Sequence, residues 1–408
     1  MKTNISKIVA AVSAVAMGTS AVVVGVSAPL TASAAGKTVT VKLWADSTEY
    51  KKVVKEFQKK NPTIKVKFQK MGSVDTTPAL QKDPSTAADV MMVAHDQIGT
   101  LVGAKLVNRV SPSYEKNAKK TQVAGAVKGA TYKGKMYGYA YGVETQVLYY
   151  NKSKLTADDV KSWDTLTSKG KIGVNFAEAG ANYVWAPAFL TNGDVLFGKN
   201  GEKAKGTNFG NEKGVQVLKW VQAQTKNPGV IQTNAGALED LSTGNIDAWM
   251  SGPWSKADAK KALGDNYAVA VYPKVNFGSG EKDLQAFLGV KLFVVNSATK
   301  QNAASQKLAT YLTSDKVQKQ IFNKVGYVPS SKKVAKSEAV KNDELASAVT
   351  KMSKISTPMP KIPEVNNFWT PMDAIFNDTW KGTITEDQML PKLKAFDKEI
   401  ATSNADKK

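Results

Sequence analysis

The chain has 408 residues, 42% of them hydrophobic, with 56 Lys and Arg against 35 Asp and Glu, one His, no Cys and a formal net charge of +21. That apolar content at this length is enough for a real core and more than one domain. The absence of cysteine argues against a disulfide framework, a thiolate metal site, a cysteine nucleophile and a diacylglyceryl-cysteine anchor.

The first residues, Met1-Lys2-Thr3-Asn4-Ile5-Ser6-Lys7, lead into an apolar, small-residue run from Ile8 to Val26 and then to Ala32-Ser33-Ala34, with no acidic residue before Asp46. This pattern predicts a secretory signal peptide over 1–34. An uncleaved membrane anchor is the alternative, and Gly18, Ser20, Gly25 and Ser27 interrupt the run that it would need. Cleavage removes Lys2 and Lys7 and no acid, which leaves an exported chain of net charge +19.

Thr38–Trp44 alternates like a strand, Glu49–Lys60 carries Tyr50, Val53, Val54 and Phe57 at helical spacing, and Ile64–Phe68 alternates again. This is a βαβ opening and predicts a mainly parallel sheet in an α/β fold. Ligands of open α/β sheets collect outside the carboxyl ends of strands, which is where Asp46 falls. The competing role for Asp46 is helix capping, because Asp46 and Glu49 have the spacing of a capping box. A second apolar strand, Asp89–Val93, ends in Ala94-His95-Asp96-Gln97, so Asp96 and Gln97 fall at the same kind of edge. His95 reads as structural, since a histidine metal site or triad would lack a second histidine.

Residues 98–135 predict a helix, a lysine-rich loop and a turn into a β run from Met136 to Lys152, with Glu144 at its centre. An ionised Glu among Tyr139, Tyr141, Val143, Val147, Tyr149 and Tyr150 must be paired, hydrogen-bonded or facing a wet cleft; the alternative is a strand-end carboxylate in bulk solvent. A second α/β unit follows over 153–284, with a helix near 156–169, a strand at 172–176, a polar and aromatic segment from Glu178 to Trp185, a helix at 215–225, and a strand from Asn245 that delivers Trp254 through a Gly-Pro turn. Phe287–Val295 is another apolar strand, helices follow at 301–313 and 314–325, and the Pro-rich Thr357–Pro363 hands over to a helix near Phe368-Trp369. A basic tail ends the chain.

Nucleotide loops, zinc-protease motifs, EF-hands and serine-hydrolase elbows are absent from the sequence. Asp46, Asp96, Glu144 and Glu178 include enough carboxylates for a glycosidase pair, so a secreted glycan hydrolase is one reading. Carboxylates and amides beside Trp44, Tyr141, Tyr183, Trp185, Trp254 and Trp369 also suit a sugar, whose hydroxyls need acceptors and whose C–H face packs on a ring. Trp163, Trp220, Trp249 and Trp380 lie in apolar-periodic segments and read as core. The lysines are spread along an exported chain, so an anionic cell-wall polymer or a membrane surface, and not nucleic acid, is the expected partner of the charge.

Five pieces in order then carry a resemblance: Asp89 to Ala94-His95-Asp96; Lys133-Gly134-Lys135 leading to Val143-Glu144 and Leu148-Tyr149-Tyr150-Asn151-Lys152; Ser251-Gly252-Pro253-Trp254; Phe287-Leu288-Gly289-Val290; and Met359-Pro360-Lys361-Ile362-Pro363 with Phe368-Trp369. With these the chain resembles the extracellular solute-binding proteins of ABC sugar importers, and among them the maltose and maltodextrin-binding proteins. The resemblance implies a two-lobed periplasmic-binding-protein-like α/β fold. Its first lobe would comprise 36–142 and 286–333, its second 143–285 and 334–408, and a ligand cleft would lie between them. It implies a monomeric, non-enzymatic capture of a malto-oligosaccharide for a membrane permease, with no cofactor, no metal and no catalytic residue.

Carried over, Asp46, Asp96 and Glu144 match the family's hydroxyl acceptors, Trp254 and Trp369 its stacking indoles, and Met359 its apolar wall. Glu178 would be the acceptor on the second lobe's loop and Tyr183 a stacking partner. Ser47, Val93 and Gln97 stand where the best-known member has lysine, tryptophan and arginine, and Trp44 would restore aromatic area. These departures imply a different preference for chain length or anomer. Members of the family in Gram-positive bacteria are commonly lipid-anchored through a cysteine, which is missing here, so the resemblance implies a protein held at the surface of a Gram-positive bacterium by its +19 charge.

Overall fold

The computed structural model describes residues 37–198 and 201–401; the signal-peptide and tail expectations lie outside the described residues. In chain order the strands that build the two main sheets are β1 (Val39–Ala45), β2 (Ile64–Lys70), β3 (Val90–Ala94), β4 (Tyr139–Glu144), β5 (Val147–Asn151), β6 (Ile172–Val174), β7 (Val230–Gln232), β8 (Ala248–Ser251), β9 (Tyr267–Ala270), β10 (Phe287–Val295), β11 (Val328–Pro329) and β12 (Thr357–Pro358). The helices that bear on the site are α1 (Tyr50–Lys60), α2 (Ile98–Gly103), α3 (Pro112–Thr121), α4 (Ala124–Ala130), α5 (Ala181–Thr191) and α6 (Trp369–Trp380).

Strand β1 buries Val41, Leu43 and Ala45 on one face, and α1 buries Tyr50, Val53, Val54 and Phe57 against the same core. Parallel β2 and β3 flank β1, with Val39 opposite Ile64 and Leu43 opposite Val90, as a βαβ opening requires. The first sheet runs β11-β4-β10-β3-β1-β2, with β12 beside β10. Because β10 is antiparallel to both β3 and β4, strands β1, β3 and β4 all point the same way. Their carboxyl ends form one edge, and β10 begins at that edge. The second sheet runs β9-β5-β8-β6-β7, with β5 antiparallel to β8 and β9 and with β6 parallel to β7 and β8.

The expected single run from Met136 to Lys152 is in fact two strands in two sheets. Glu144 is still paired, opposite Gly289 of the first sheet; Thr145 and Gln146 are buried without a ladder; Val147 already pairs with Ser251 of the second sheet. Alternation of side chains reports a half-buried strand but not which neighbour it bonds. The lysine-rich segment expected to be a loop is helix α3. Ser111 accepts a hydrogen bond from the Tyr114 N–H, Pro112 occupies the first turn, and Glu115 pairs with Lys119 one turn on at 2.7 Å.

Trp163 is buried, and Trp220, Trp249 and Trp380 pack on the core as expected. Trp185 and Tyr141, expected among the ligand-facing aromatics, are core residues as well. Trp185 lies edge-on to Trp163 at 5.6 Å and stacks on Phe176 at 4.3 Å, and Tyr141 packs on Phe293 at 4.9 Å.

Candidate functional site

Three carboxylates meet at the strand-end edge of the first sheet because β1, β3 and β4 end there in Asp46, in the His95–Gln97 turn and in Glu144. Gly289, opposite Glu144, makes room: a Cβ there would lie 2.8 Å from the Glu144 Cγ. Lys291, two residues on from Gly289 along β10, projects from the same face of the sheet into that space. Lys291 Nζ lies 2.9 Å from Glu144 Oε2, both side chains being about one-eighth exposed (13% and 12%). The same ammonium sits 5.1 Å above the Tyr327 ring, whose hydroxyl donates to Asp46 Oδ2 at 2.8 Å.

Asp46 does not cap the following helix: α1 receives no side-chain cap, and the Glu49 N–H is taken by the Ser47 hydroxyl. Burial raises the Asp46 pKa, Lys291 and the Tyr327 hydroxyl oppose the rise, and Glu144 adds to it. Burial also raises Asp96, assisted by Glu144 and opposed by the Gln97 amide, which donates to Asp96 Oδ2 at 2.6 Å. For Lys291 burial acts downward, yet Glu144 and Asp46 together raise its pKa, so it stays a cation. Buried Asp46 Oδ1 and Asp96 Oδ1 have no hydrogen-bond partner. These are open acceptors in a place where an unsatisfied acceptor is costly.

Aromatic residues of the second sheet's unit and of the Pro-rich segment's helix meet this edge. Tyr183, on α5, has its hydroxyl pKa raised by burial first and then by the charges of Glu144 and Asp96. The ring lies 6.3 Å from Trp254 and 5.9 Å from Phe287, and Phe287 meets Trp369 edge-on at 5.8 Å. Trp254 is the exposed tryptophan of the described residues, at 48%. Its ring lies over Gly252, whose carbonyl accepts from the Tyr149 hydroxyl at 2.8 Å. Met359 is buried and bonded through its N–H to the Leu288 carbonyl.

Electrostatic interaction links Asp46, Asp96, Glu144 and Tyr183, direct contact adds Gln97 and Trp254, and Trp369 connects to them through Phe287 and Met359 through His95 and Leu288. The structure does not join Trp44 or Glu178 to them in this way. Trp44 gives its indole N–H to Gln69 at 3.1 Å, and Glu178 is exposed, its carboxylate receiving a 3.4 Å bond from Gln232. The Glu178 loop is nonetheless tied toward Trp369. Gly180 and Asn182 donate their N–H groups to the Asp373 carboxylate, and the Asn182 amide donates to the Trp369 carbonyl at 2.7 Å.

His95 is buried behind the carboxylates: its Nδ1 accepts from the Val290 N–H at 3.1 Å, leaving Nε2 to donate to the Met359 carbonyl at 3.2 Å. Burial first, and Lys361 second, hold its pKa down at about 3. It pins the Asp96 turn, β10 and the Met359 segment together as a neutral ring. Sequence reasoning missed Lys291, Tyr327, Phe287 and Asp373. For Lys291 a signal existed, a single lysine inside the otherwise apolar Phe-Leu-Gly-Val-Lys-Leu-Phe-Val-Val run. Buried carboxylate oxygens with unfilled acceptor capacity at Asp46 and Asp96 can accept from neutral hydroxyls. Among the described residues no group of three His, Cys, Asp or Glu is arranged to hold a metal ion.

Residues 52–348 match the family model of the bacterial extracellular solute-binding proteins. The chain belongs to that family. A solute-binding protein of this kind acts outside the cell, and the two-sheet arrangement here is the two-lobed fold of its solved relatives. The ligand-free maltodextrin binding protein of L. casei BL23 shares 41% identity, with a TM-score of 0.85, over 90% of this chain and 100% of that one. The galactooligosaccharide-binding protein of Bacillus subtilis is 29% identical over 381 residues, covering 88% of this chain and 89% of its own. A maltooligosaccharide ABC transporter solute-binding lipoprotein of Streptococcus pneumoniae is 29% identical over 373 residues, 86% of each chain.

Proposed function

We propose that this solute-binding protein captures a malto-oligosaccharide between its two sheets and delivers it to the permease of an ABC importer, without chemical change to the sugar. The observation that carries this reading is the set of three carboxylates at one sheet edge, two of which act on the Tyr183 hydroxyl, with the exposed Trp254 packed beside the Tyr183 ring. A glucan presents hydroxyls to such acceptors and a C–H face to such rings. The names of the L. casei and Streptococcus relatives support the sugar class. Asp46, Asp96 and Glu144 are the acceptors in this proposal, Gln97 orients Asp96, and Trp254, Tyr183 and Trp369 form the apolar wall with Met359. Trp44 and Glu178 are assigned to the rim, reached by longer ligands or after closure.

The lobes in this reading are 36–142 with 286–333 and 143–285 with 334–408, and they close by a hinge at the crossing strands. Val143 and Glu144 remain paired to the first sheet and Thr357–Pro358 lies beside Phe287 and Leu288, so the crossing is shared between both halves. The protein acts as a monomer held at the surface of a Gram-positive cell by its charge. Its release from intact cells by roughly molar salt, where the Debye length is ~3 Å, is the expected result.

Calorimetric titration of the mature protein with maltotriose, run beside a galacto-oligosaccharide of the same length, tests the sugar. Saturable binding of intact maltotriose, at least tenfold tighter than the galactoside, is expected. The reverse order moves the substrate to the class named for the Bacillus relative, and release of shorter sugars would hand the site to glycan hydrolysis by a carboxylate pair.

A further inference from the structure

One patch of the basic surface is concave and is lined by none of the residues assigned to the sugar. Between Arg109 and Lys135 there are seven Lys and Arg and a single acid, Glu115. Helices α3 and α4 fold that stretch back on itself, and the Gln122–Ser331 bridge with the Val123-to-Ser330 hydrogen bond brings Lys332 beside it. Lys332 is held there by donating to the Lys120 carbonyl at 3.0 Å. The result is a pair of adjoining cavities of about 570 and 480 Å³ that share Lys119.

Two acids line these cavities, and both are already engaged. Glu115 pairs with Arg109 and Lys119 at 2.9 and 2.7 Å, and Glu202 with Lys361 at 3.0 Å. Lys116, Lys120, Lys128, Lys133 and Lys332 are exposed and take part in no ion pair among the described residues. None of the ten residues assigned to the sugar lines either cavity. Repulsion among five unpaired ammoniums costs stability unless an anion is at hand.

We propose that these twin cavities bind a linear polyol-phosphate polymer of the cell envelope, one phosphate group in each cavity with Lys119 between them. The proposal deepens the charge-retention reading by giving it a place on the fold. Two concavities in series suit a repeating anion better than a compact one. The lining offers no exposed ring on which a base stacks, since Tyr132 is buried and covered by the Lys133 ammonium at 5.5 Å, so a nucleic acid gains charge contacts only.

Poly(glycerol phosphate) serves as the probe, titrated at ~0.15 M salt into three proteins: the mature chain, the variant Lys116→Gln, Lys120→Gln, Lys128→Gln, Lys332→Gln, and a control variant Lys52→Gln, Lys55→Gln, Lys59→Gln, Lys65→Gln. The control removes the same charge from exposed positions elsewhere, and thermal unfolding midpoints verify that both variants fold. Loss of at least tenfold affinity in the first variant and less than twofold in the control is the expected result. Equal losses would reduce the effect to net charge and overturn the site. Polyglutamate binding as tightly as the phosphate polymer would overturn the phosphate assignment in favour of an acidic protein surface. Cell walls stripped of phosphate polymers by hydrofluoric acid should lose the mature protein, and retention on them would count equally against the proposal. None of these readouts depends on the sugar site, so its failure would be seen separately.

Discussion

Replacing Lys291 by Met removes the one cation that faces the Asp46 and Glu144 carboxylates while keeping much of its volume. Removing one partner of a buried pair typically costs about 3–5 kcal/mol. Here a proton offsets part of that cost, because burial already raises the Asp46 pKa with Lys291 in place. The variant should therefore lose about 2–4 kcal/mol at pH 7. At ~1.3 °C per kcal/mol for a chain of this length, that is a fall in melting temperature of about 3–5 °C.

The pH dependence carries the sign. In the variant Asp46 takes up its proton on folding, so the deficit shrinks by about 1.4 kcal/mol for each unit the pH is lowered. The narrowing continues until wild-type Asp46, itself raised, is protonated as well. Melting curves of both proteins from pH 7 to pH 5 would show it. Malto-oligosaccharide affinity should fall with the lost acceptor by about 1.5–3 kcal/mol, roughly 10- to 100-fold. A melting deficit that stays constant across this range, or sugar binding indifferent to Lys291, would refute the argument that the lysine keeps Asp46 charged.

Trp254→Ala should leave the melting temperature within about 1 °C, because an exposed ring contributes little to folding, while sugar affinity measured by calorimetry falls by one to two orders of magnitude. Gly289→Ala places a methyl 2.8 Å from the Glu144 Cγ and should displace that carboxylate, giving a loss of affinity of about tenfold with near-wild-type melting. The single histidine gives one unambiguous pair of nitrogen NMR signals, which should report a neutral, Nε2-protonated ring throughout pH 5 to 8, since its pKa lies at about 3.

The sequence made legible whatever depends on local pattern. The opening βαβ, the apolar strand Phe287–Val295 and the carboxyl-end placement of Asp46 and Asp96 all follow from periodicity and one topological rule, and the structure agrees to within a residue or two. It concealed whatever depends on pairing at a distance. Glu144 and Val147 look like one strand, but they bond to different sheets through Gly289 and Ser251, which lie more than a hundred residues away. Tyr327 reaches Asp46 across 281 positions. Trp185 and Tyr141 have the same residue types as Trp254 and Tyr183, and only packing on Phe176 and Phe293 separates core rings from cleft rings. The Asp46 capping box was chemically sound but lost to the Ser47 hydroxyl, one residue closer to the helix.

A neutral oligosaccharide gains nothing from a protein's net charge, because Coulomb steering requires charge on both bodies. The cleft accordingly balances its own electrostatics internally, with Lys291 set against Asp46 and Glu144. The large positive charge of the rest of the chain therefore needs a separate cause, and the unpaired lysines around Lys119 are the part of it that lines a pair of cavities. Salt separates the two roles. Raising ionic strength from about 0.15 to 1 M shortens the Debye length from ~8 to ~3 Å, which should release the protein from a polyanion while leaving its affinity for maltotriose nearly unchanged. If sugar affinity fell in parallel with wall binding, the cleft would not be the self-balanced site described here, and the surface charge would belong to sugar capture.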